Sequence, residues 1–424
     1  MKYLLSFRKQ IIMVFALLLG LHTVQAQLVT GSAGSASYNN FQNNDFVVIF
    51  NGINHQSQLN YNGTYNTIAW STYEQPNVVV SNQQFHYNID DNKGYILRVD
   101  DKTYHIWVID YAQHLPAITA LNVVADPQTQ CRELALNVVG NVPQLSYRNR
   151  NGGLNYIDRK FSLKYKTLEW DNNAWKEVER NTDVSLPQTT IFIDESPLCD
   201  TQFTLEGDKF AADLGLPSFV LNSSTFAAIA VAGKITTTAT TRDFKNEGNR
   251  PDKPDVISAS APLDILFKAN GNAPVARNFE WTVSKSDAII INRSAEEHRY
   301  TFNDAGNYKV KVRISNAFCT FTDSVNITIV ESGLQVPDVF TPNGDGINDE
   351  FKVAYKSLRT FKGIILNRWG RKVFQWTDPS KGWDGNINGR PAAEGGYFYV
   401  IEALGTDGIE YKLKGDITLL RGKN

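Results

Sequence analysis

The sequence predicts an all-β protein built from tandem immunoglobulin-like β-sandwiches. Short runs of Val, Ile, Thr, Tyr and Phe alternate with polar residues along almost the whole chain. Asn, Asp and Gly clusters punctuate these runs, and no long stretch of clean 3.6-residue periodicity follows the first 26 residues. A chain of 424 residues is too long for one core, so several domains are expected. A hydrophobic content of 42% with 12% aromatics describes a folded chain. Lys plus Arg is 42 against 44 for Asp plus Glu, a net charge of -2. That balance provides no basic stripe for nucleic acid or an anionic membrane surface.

The N-terminus has the layout of an export signal. Lys2, Arg8 and Lys9 precede an apolar run over residues 11–21, and Val24-Gln25-Ala26 supplies the small-residue cleavage pattern. The run is shorter than the ~20 apolar residues a membrane-spanning helix needs. Residues 1–26 therefore read as a signal peptide, with a mature chain starting at Gln27 outside the inner membrane.

The first expected domain covers residues 27–116. Phe46-Val47-Val48-Ile49-Phe50 is an apolar core strand, and residues 94–99 and 104–109 flank Asp100-Asp101 as a hairpin. The second covers residues 117–241. Its clearest hairpin runs from Phe161 through Trp170, turns at Asp171-Asn172-Asn173 and returns from Trp175. Residues 242–255, charged and bearing Pro251 and Pro254, have the composition of a linker.

The third domain, residues 256–331, carries Phe279-Glu280-Trp281-Thr282-Val283 and the strand signal from Tyr308 to Val312 after Asn303-Asp304-Ala305-Gly306. In these blocks it resembles a PKD domain, a small sandwich common in bacterial surface proteins. Tyr308, Val310, Val312 and Ile314 fall on one face of a strand, and Lys309, Lys311 and Arg313 on the other, as on a wet outer sheet face.

Residues 336–424 carry the most specific pattern. Val336-Pro337-Asp338-Val339-Phe340-Thr341-Pro342-Asn343-Gly344-Asp345-Gly346-Ile347-Asn348-Asp349 opens the segment, followed by Asn367-Arg368-Trp369-Gly370 and Gly382-Trp383-Asp384-Gly385. Glu394-Gly395-Gly396-Tyr397 and Lys414-Gly415-Asp416-Ile417 complete it. These five blocks, in this order, resemble the gliding-motility-associated C-terminal domain of Bacteroidota surface and secreted proteins, the type B sorting domain of type IX secretion. The resemblance implies recognition by the outer-membrane translocon and an accessory outer-membrane protein, with delivery to the cell surface or the medium. Trp369, Trp376 and Trp383 are expected to fill this domain's core.

Two constellations are candidate sites. Asn343, Asp345 and Asp349 place oxygen side chains at a spacing similar to that of calcium-binding loops, while lacking the Gly position and twelfth-place Glu of an EF-hand. The same residues can instead satisfy their own backbone as an Asx-rich turn. Calcium is the one ion this pattern suggests, and no other cofactor is implied. Of the three cysteines, Cys131 and Cys199 fall in one expected domain and form the candidate disulfide, leaving Cys319 over.

No catalytic constellation is recognisable. The chain has no H-E-x-x-H, G-x-S-x-G or Walker A segment, and His55, His86, His105, His114 and His298 sit in no triad motif. Asp90-Asp91 and Asp100-Asp101 lie at turn signals. The expectation is a non-enzymatic surface protein whose first three domains bind an unknown protein or glycan in adhesion. The alternative is a structural subunit of an outer-membrane, gliding or secretion assembly.

Overall fold

A computed structural model describes residues 28–40, 45–124 and 126–421. The signal-peptide expectation concerns residues outside these. The chain is all-β, with four successive sandwich-like units, and no helix among the described residues is long and apolar enough to cross a membrane.

In the first unit a three-stranded sheet packs on a five-stranded one. The larger sheet runs in the order Ser35–Asn40, Asp45–Phe50, Lys102–Asp110, Lys93–Val99, Ile68–Thr72. Asp45–Phe50 is buried at every residue and pairs in parallel with Lys102–Asp110. Its unbroken apolar run follows from having both faces covered. Phe46, Val48 and Phe50 point into the unit's own core with Trp70, Leu97 and Ile106. Val47 and Ile49 point the other way, with Trp107, Ile109 and Tyr111, and pack against Leu145, Phe210 and Ala211 of the second unit.

The second unit packs Thr190–Ile193, Leu134–Asn141 and Ala117–Val123 over a four-stranded sheet, with Leu136, Phe161, Phe203 and Leu205 at the centre. Arg159–Asp171 and Ala174–Leu186 form a long antiparallel hairpin. Asn172 and Asn173 form its two-residue turn at φ 48° and 61°, the left-handed pair such turns require and that Asn tolerates.

The third unit surrounds Trp281, Phe267, Phe302, Val310 and Ile314. Tyr308, Val310, Val312 and Ile314 are buried, while Lys309, Lys311 and Arg313 are exposed. Its beginning differs from the expected boundary. Gly233–Ala239, placed by composition in the second unit, pairs along its whole length with Leu263–Gly271 of the third. Residues 242–255 are no free tether either. Arg242 clasps the buried carboxylate of Glu247 at 2.5 Å, and the Gly248 amide donates to the Tyr355 carbonyl at 2.7 Å in the fourth unit. The path is irregular, and Glu247 spends its charge inward.

The C-terminal unit centres on a sheet ordered Val339–Phe340, Glu410–Leu419, Gly395–Gly405, Leu358–Leu366, Lys372–Trp376. Trp376 and Trp383 are buried with Phe340, Phe351 and Ile401. Trp369 corrects the expectation: it is 75% exposed at a hairpin tip, its ring covered by the Arg368 guanidinium at 4.2 Å. Its tip position leaves no opposite sheet to bury it, whatever its size.

The disulfide also differs from the expected Cys131–Cys199 pair. Cys131 bonds Cys319 of the third unit, 188 residues away, with Cα atoms 5.4 Å apart, and Cys199 is a free, half-buried thiol. The one-turn helix Thr129–Cys131 abuts the third unit's turn at Asn316, whose side chain accepts from the amides of Phe318 and Cys319 at 2.8 Å. Membership of one expected domain was a poor guide, because the junction brings the distant cysteine nearer.

Candidate functional site

The junction of the first two units is the most developed site in the molecule. Two pieces of the second unit leave its sandwich to cover the first: the hairpin of Leu145–Arg148 with Leu154–Ile157, and the helix Lys209–Asp213. The hairpin turns at Asn149, whose side chain accepts from the amides of Asn151 at 3.0 Å and Gly153 at 2.9 Å. The helix begins at Asp208, which caps it by accepting from the Ala211 amide at 3.1 Å.

Asp208 is also the centre of the joint. It accepts from Arg159 Nε at 2.5 Å and from the Tyr111 hydroxyl of the first unit at 2.9 Å. Arg159 donates onward to the carbonyls of His114 at 2.8 Å and Pro143 at 3.0 Å. Both charged side chains are wholly buried, so the pair holds only through this set of partners.

Between helix, hairpin and sheet lies a groove of about 390 Å³. Val47 and Ile49 line it, with aromatic rings from Tyr38, Tyr147, Tyr156 and Phe210. Tyr38 meets Phe210 edge-on with centroids 5.5 Å apart, and its hydroxyl donates to Asp213 at 2.5 Å. Burial, followed by that bond, pushes the Tyr38 phenol well above its ordinary pKa, so it stays protonated. Lys209 pairs with the same Asp213 at 2.6 Å. Tyr156 is 69% exposed at the hairpin's edge.

Asp45 also lines the groove. It is 3% exposed, and neither carboxylate oxygen has a well-aligned hydrogen-bond donor, the Arg150 backbone amide being the group that pulls on it. Burial raises its pKa against the opposing pull of the Arg150 charge and backbone amide. Its register partner is His105, whose Nδ1 is buried without a partner. None of these residues announced itself in the sequence. The usable signal was the double-faced apolar run beginning at Phe46, which required a second surface over the sheet.

The predicted cation residues do come together in the C-terminal unit, but their oxygens face inward to the loop. Asp349 accepts from the amides of Gly344 and Gly346, both at 2.7 Å. Asn343 accepts from the Asp345 amide at 3.1 Å, and Asp345 from the Ile347 amide at 2.8 Å. The Gly344 and Gly346 amides hold the Asp349 carboxyl below its ordinary pKa. Among the described residues, no group of three or more His, Cys, Asp or Glu is placed to hold a metal ion.

The histidines and turn aspartates are dispersed. His86 stacks on Trp70, His298 leans on Trp281, and His114 meets Asp91 at 3.0 Å. Asp100 sits at φ 51° and accepts from the amides of Asn66 and Thr67 at 3.0 and 2.8 Å.

Comparison with known proteins adds two matches. Residues 334–419 match the CHU_C Type IX secretion signal domain, and residues 123–222 match a fibronectin type III domain. No curated protein matches the chain. Among solved structures, the tetra-tandem repeat from the extending region of a large adhesion protein is 11% identical, covering 88% of this chain and 99% of its own at a TM-score of 0.22. Sidekick-1 immunoglobulin domains 1–5 are 11% identical, covering 91% and 81% at a TM-score of 0.24. A structure from a 1.5-MDa bacterial ice-binding adhesin is 12% identical, covering 72% and 98% at a TM-score of 0.21.

Proposed function

We infer that this chain, whose residues 334–419 are a type IX secretion signal domain, is exported by that system and works at the cell surface or after release as a binding protein. The signal domain is the observation that carries the reading. On it, the translocon and an accessory outer-membrane protein receive residues 336–424, and the three preceding sandwiches are cargo. The match of residues 123–222 to a fibronectin type III domain, a module type without chemistry of its own, supports a non-catalytic role for that cargo. The PKD-like assignment of the third unit belongs to the same proposal.

Adhesion is the role the cargo's construction supports best. Its junctions are fixed by side chains: Asp208 with Tyr111 at the first, Cys131 with Cys319 at the second. At the third, Asn246 Nδ2 donates to the carbonyls of Val353 and Pro379, both at 2.8 Å. Such joints hold binding surfaces at set positions along the chain.

Deleting residues 336–424 tests export. The truncated protein is expected in the periplasm and the full chain on intact cells, read by protease accessibility and surface labelling. Undiminished surface labelling of the truncated form overturns the reading.

A further inference from the structure

We propose that the cavity where the second unit meets the third, beside Asn316 and Phe318, binds the carboxylate of an acidic sugar, a uronate or sialate residue of a glycan. The inference rests on the reading of the first three units as a binding module, and it names that module's ligand class and a site.

The cavity, about 430 Å³, falls within the range of small-ligand sites. Its walls are Ala228 and Ile229 at the end of the second unit, Val275 with Arg277 and Asn278, and the turn of Asn316, Ala317 and Phe318. Asn316 ties these segments together. Its Nδ2 donates to the carbonyls of Ile229 at 2.8 Å and Val275 at 3.3 Å, and its Oδ1 holds the Phe318 and Cys319 amides. The bond from Cys319 to Cys131 anchors the same turn from the second unit. The cavity is therefore shaped before a ligand arrives, and little ordering opposes binding.

Charge chooses the ligand. Arg277 is exposed, and its guanidinium makes no ion pair or hydrogen bond among the described residues. No Asp or Glu among them lines the cavity, and Glu280, the nearest acid along that strand, already pairs with Arg313 at 3.0 Å. An uncompensated guanidinium favours an anion, and its planar fork matches a carboxylate through two parallel hydrogen bonds. Arg277 is also the one cation in the described lining, which suits a single negative charge better than a phosphate dianion. A peptide's terminal carboxylate is held by a nest of backbone amides, and here the Phe318 and Cys319 amides already serve Asn316. The Phe318 ring, 63% exposed, gives the C–H face of a sugar a flat surface. The Asn278 side-chain amide, also unbonded among the described residues, is left for the sugar's hydroxyls.

Isothermal titration of the purified full chain with tetragalacturonate, tetramannuronate and sialyllactose tests this. Their methyl esters, alike in shape but uncharged, are the comparators, with N-acetyl-tetraalanine as a peptide carboxylate. Saturable binding of at least one acidic sugar is expected, about tenfold or more tighter than its ester and tighter than the peptide. Arg277→Gln and Phe318→Ala, both at exposed side chains, should each weaken binding about tenfold. Lys309→Gln, at an exposed cation outside the cavity, should leave it unchanged. The proposal is overturned by no saturable binding of any acidic sugar at millimolar concentration, or by an ester or the peptide binding as tightly. Affinity that survives Arg277→Gln or Phe318→Ala, or falls equally with Lys309→Gln, also overturns it. If acidic sugars fail to bind while the purified protein still coats intact cells, the ligand class is wrong and the binding-module reading stands.

Discussion

Arg159 and Asp208, 49 positions apart in one chain, form a wholly buried ion pair that also receives the Tyr111 hydroxyl of the preceding unit. Removing one partner strands the other charge without water. Arg159→Ala is therefore expected to destabilise the protein by about 3–5 kcal/mol, and to lower the urea midpoint of the first two units together. Loss confined to the second unit, with the first melting as before, would show that the pair does not couple them.

The Cys131–Cys319 bond predicts a specific thiol pattern. Without reductant, one thiol per native chain should react with iodoacetamide, and peptide mapping should locate it at Cys199. Cys319→Ser should cost about 2–4 kcal/mol of stability and expose a second reactive thiol at Cys131. A Cys131–Cys199 peptide in the unreduced digest would contradict this.

Buried histidines give stability a pH dependence with a definite sign. Burial lowers the pKa of His86 and of His298, so the folded protein holds them neutral while the unfolded chain protonates them near ~6.5. The unfolded state then binds more protons, so the stabilisation is complete above about pH 6.5 and drains as pH falls below it. The thermal midpoint should drop between about pH 7 and 5, and His86→Phe should shallow that drop. A flat profile over this interval would count against it.

Asp349 gives the opposite end of the scale. Its carboxyl is held below the ordinary value by the Gly344 and Gly346 amides, so its contribution is present above the unfolded carboxylate pKa and lost as pH falls through the folded one. Asp349→Ala should abolish hydrogen-exchange protection at those two glycine amides, read on selectively labelled glycine, while leaving the sheet amides protected. Adding millimolar calcium to the unmutated protein should leave both glycine signals in place, since the loop's oxygens already accept its own amides. A calcium-dependent shift at both would favour the cation reading over the Asx-rich turn.

How far the sequence could be read depended on what each residue's role drew upon. Alternation along residues 308–314 announced a half-buried strand because the pattern is local to the chain. The Asn172–Asn173 turn was legible for the same reason. Gly233–Ala239 was not, since a strand's own pattern says nothing about which sheet it joins. Trp369 misled because size predicts burial only where a second surface is available. Asp45 is the clearest case. Nothing in its place before an apolar strand marks it, and its burial arises from a hairpin about a hundred residues onward.

The bond between Cys131 and Cys319 has a mechanical consequence for a protein held at one end and pulled at the other. Tension entering through the first unit reaches Cys131, crosses the sulfur atoms and leaves from Cys319 toward the C-terminal unit. Everything from Arg132 to Phe318 lies on a slack bypass. The long hairpin, most of the second sandwich and the core strands of the third carry no load along their backbone. Stretching therefore lengthens the molecule only by the residues outside the loop, whichever end unravels.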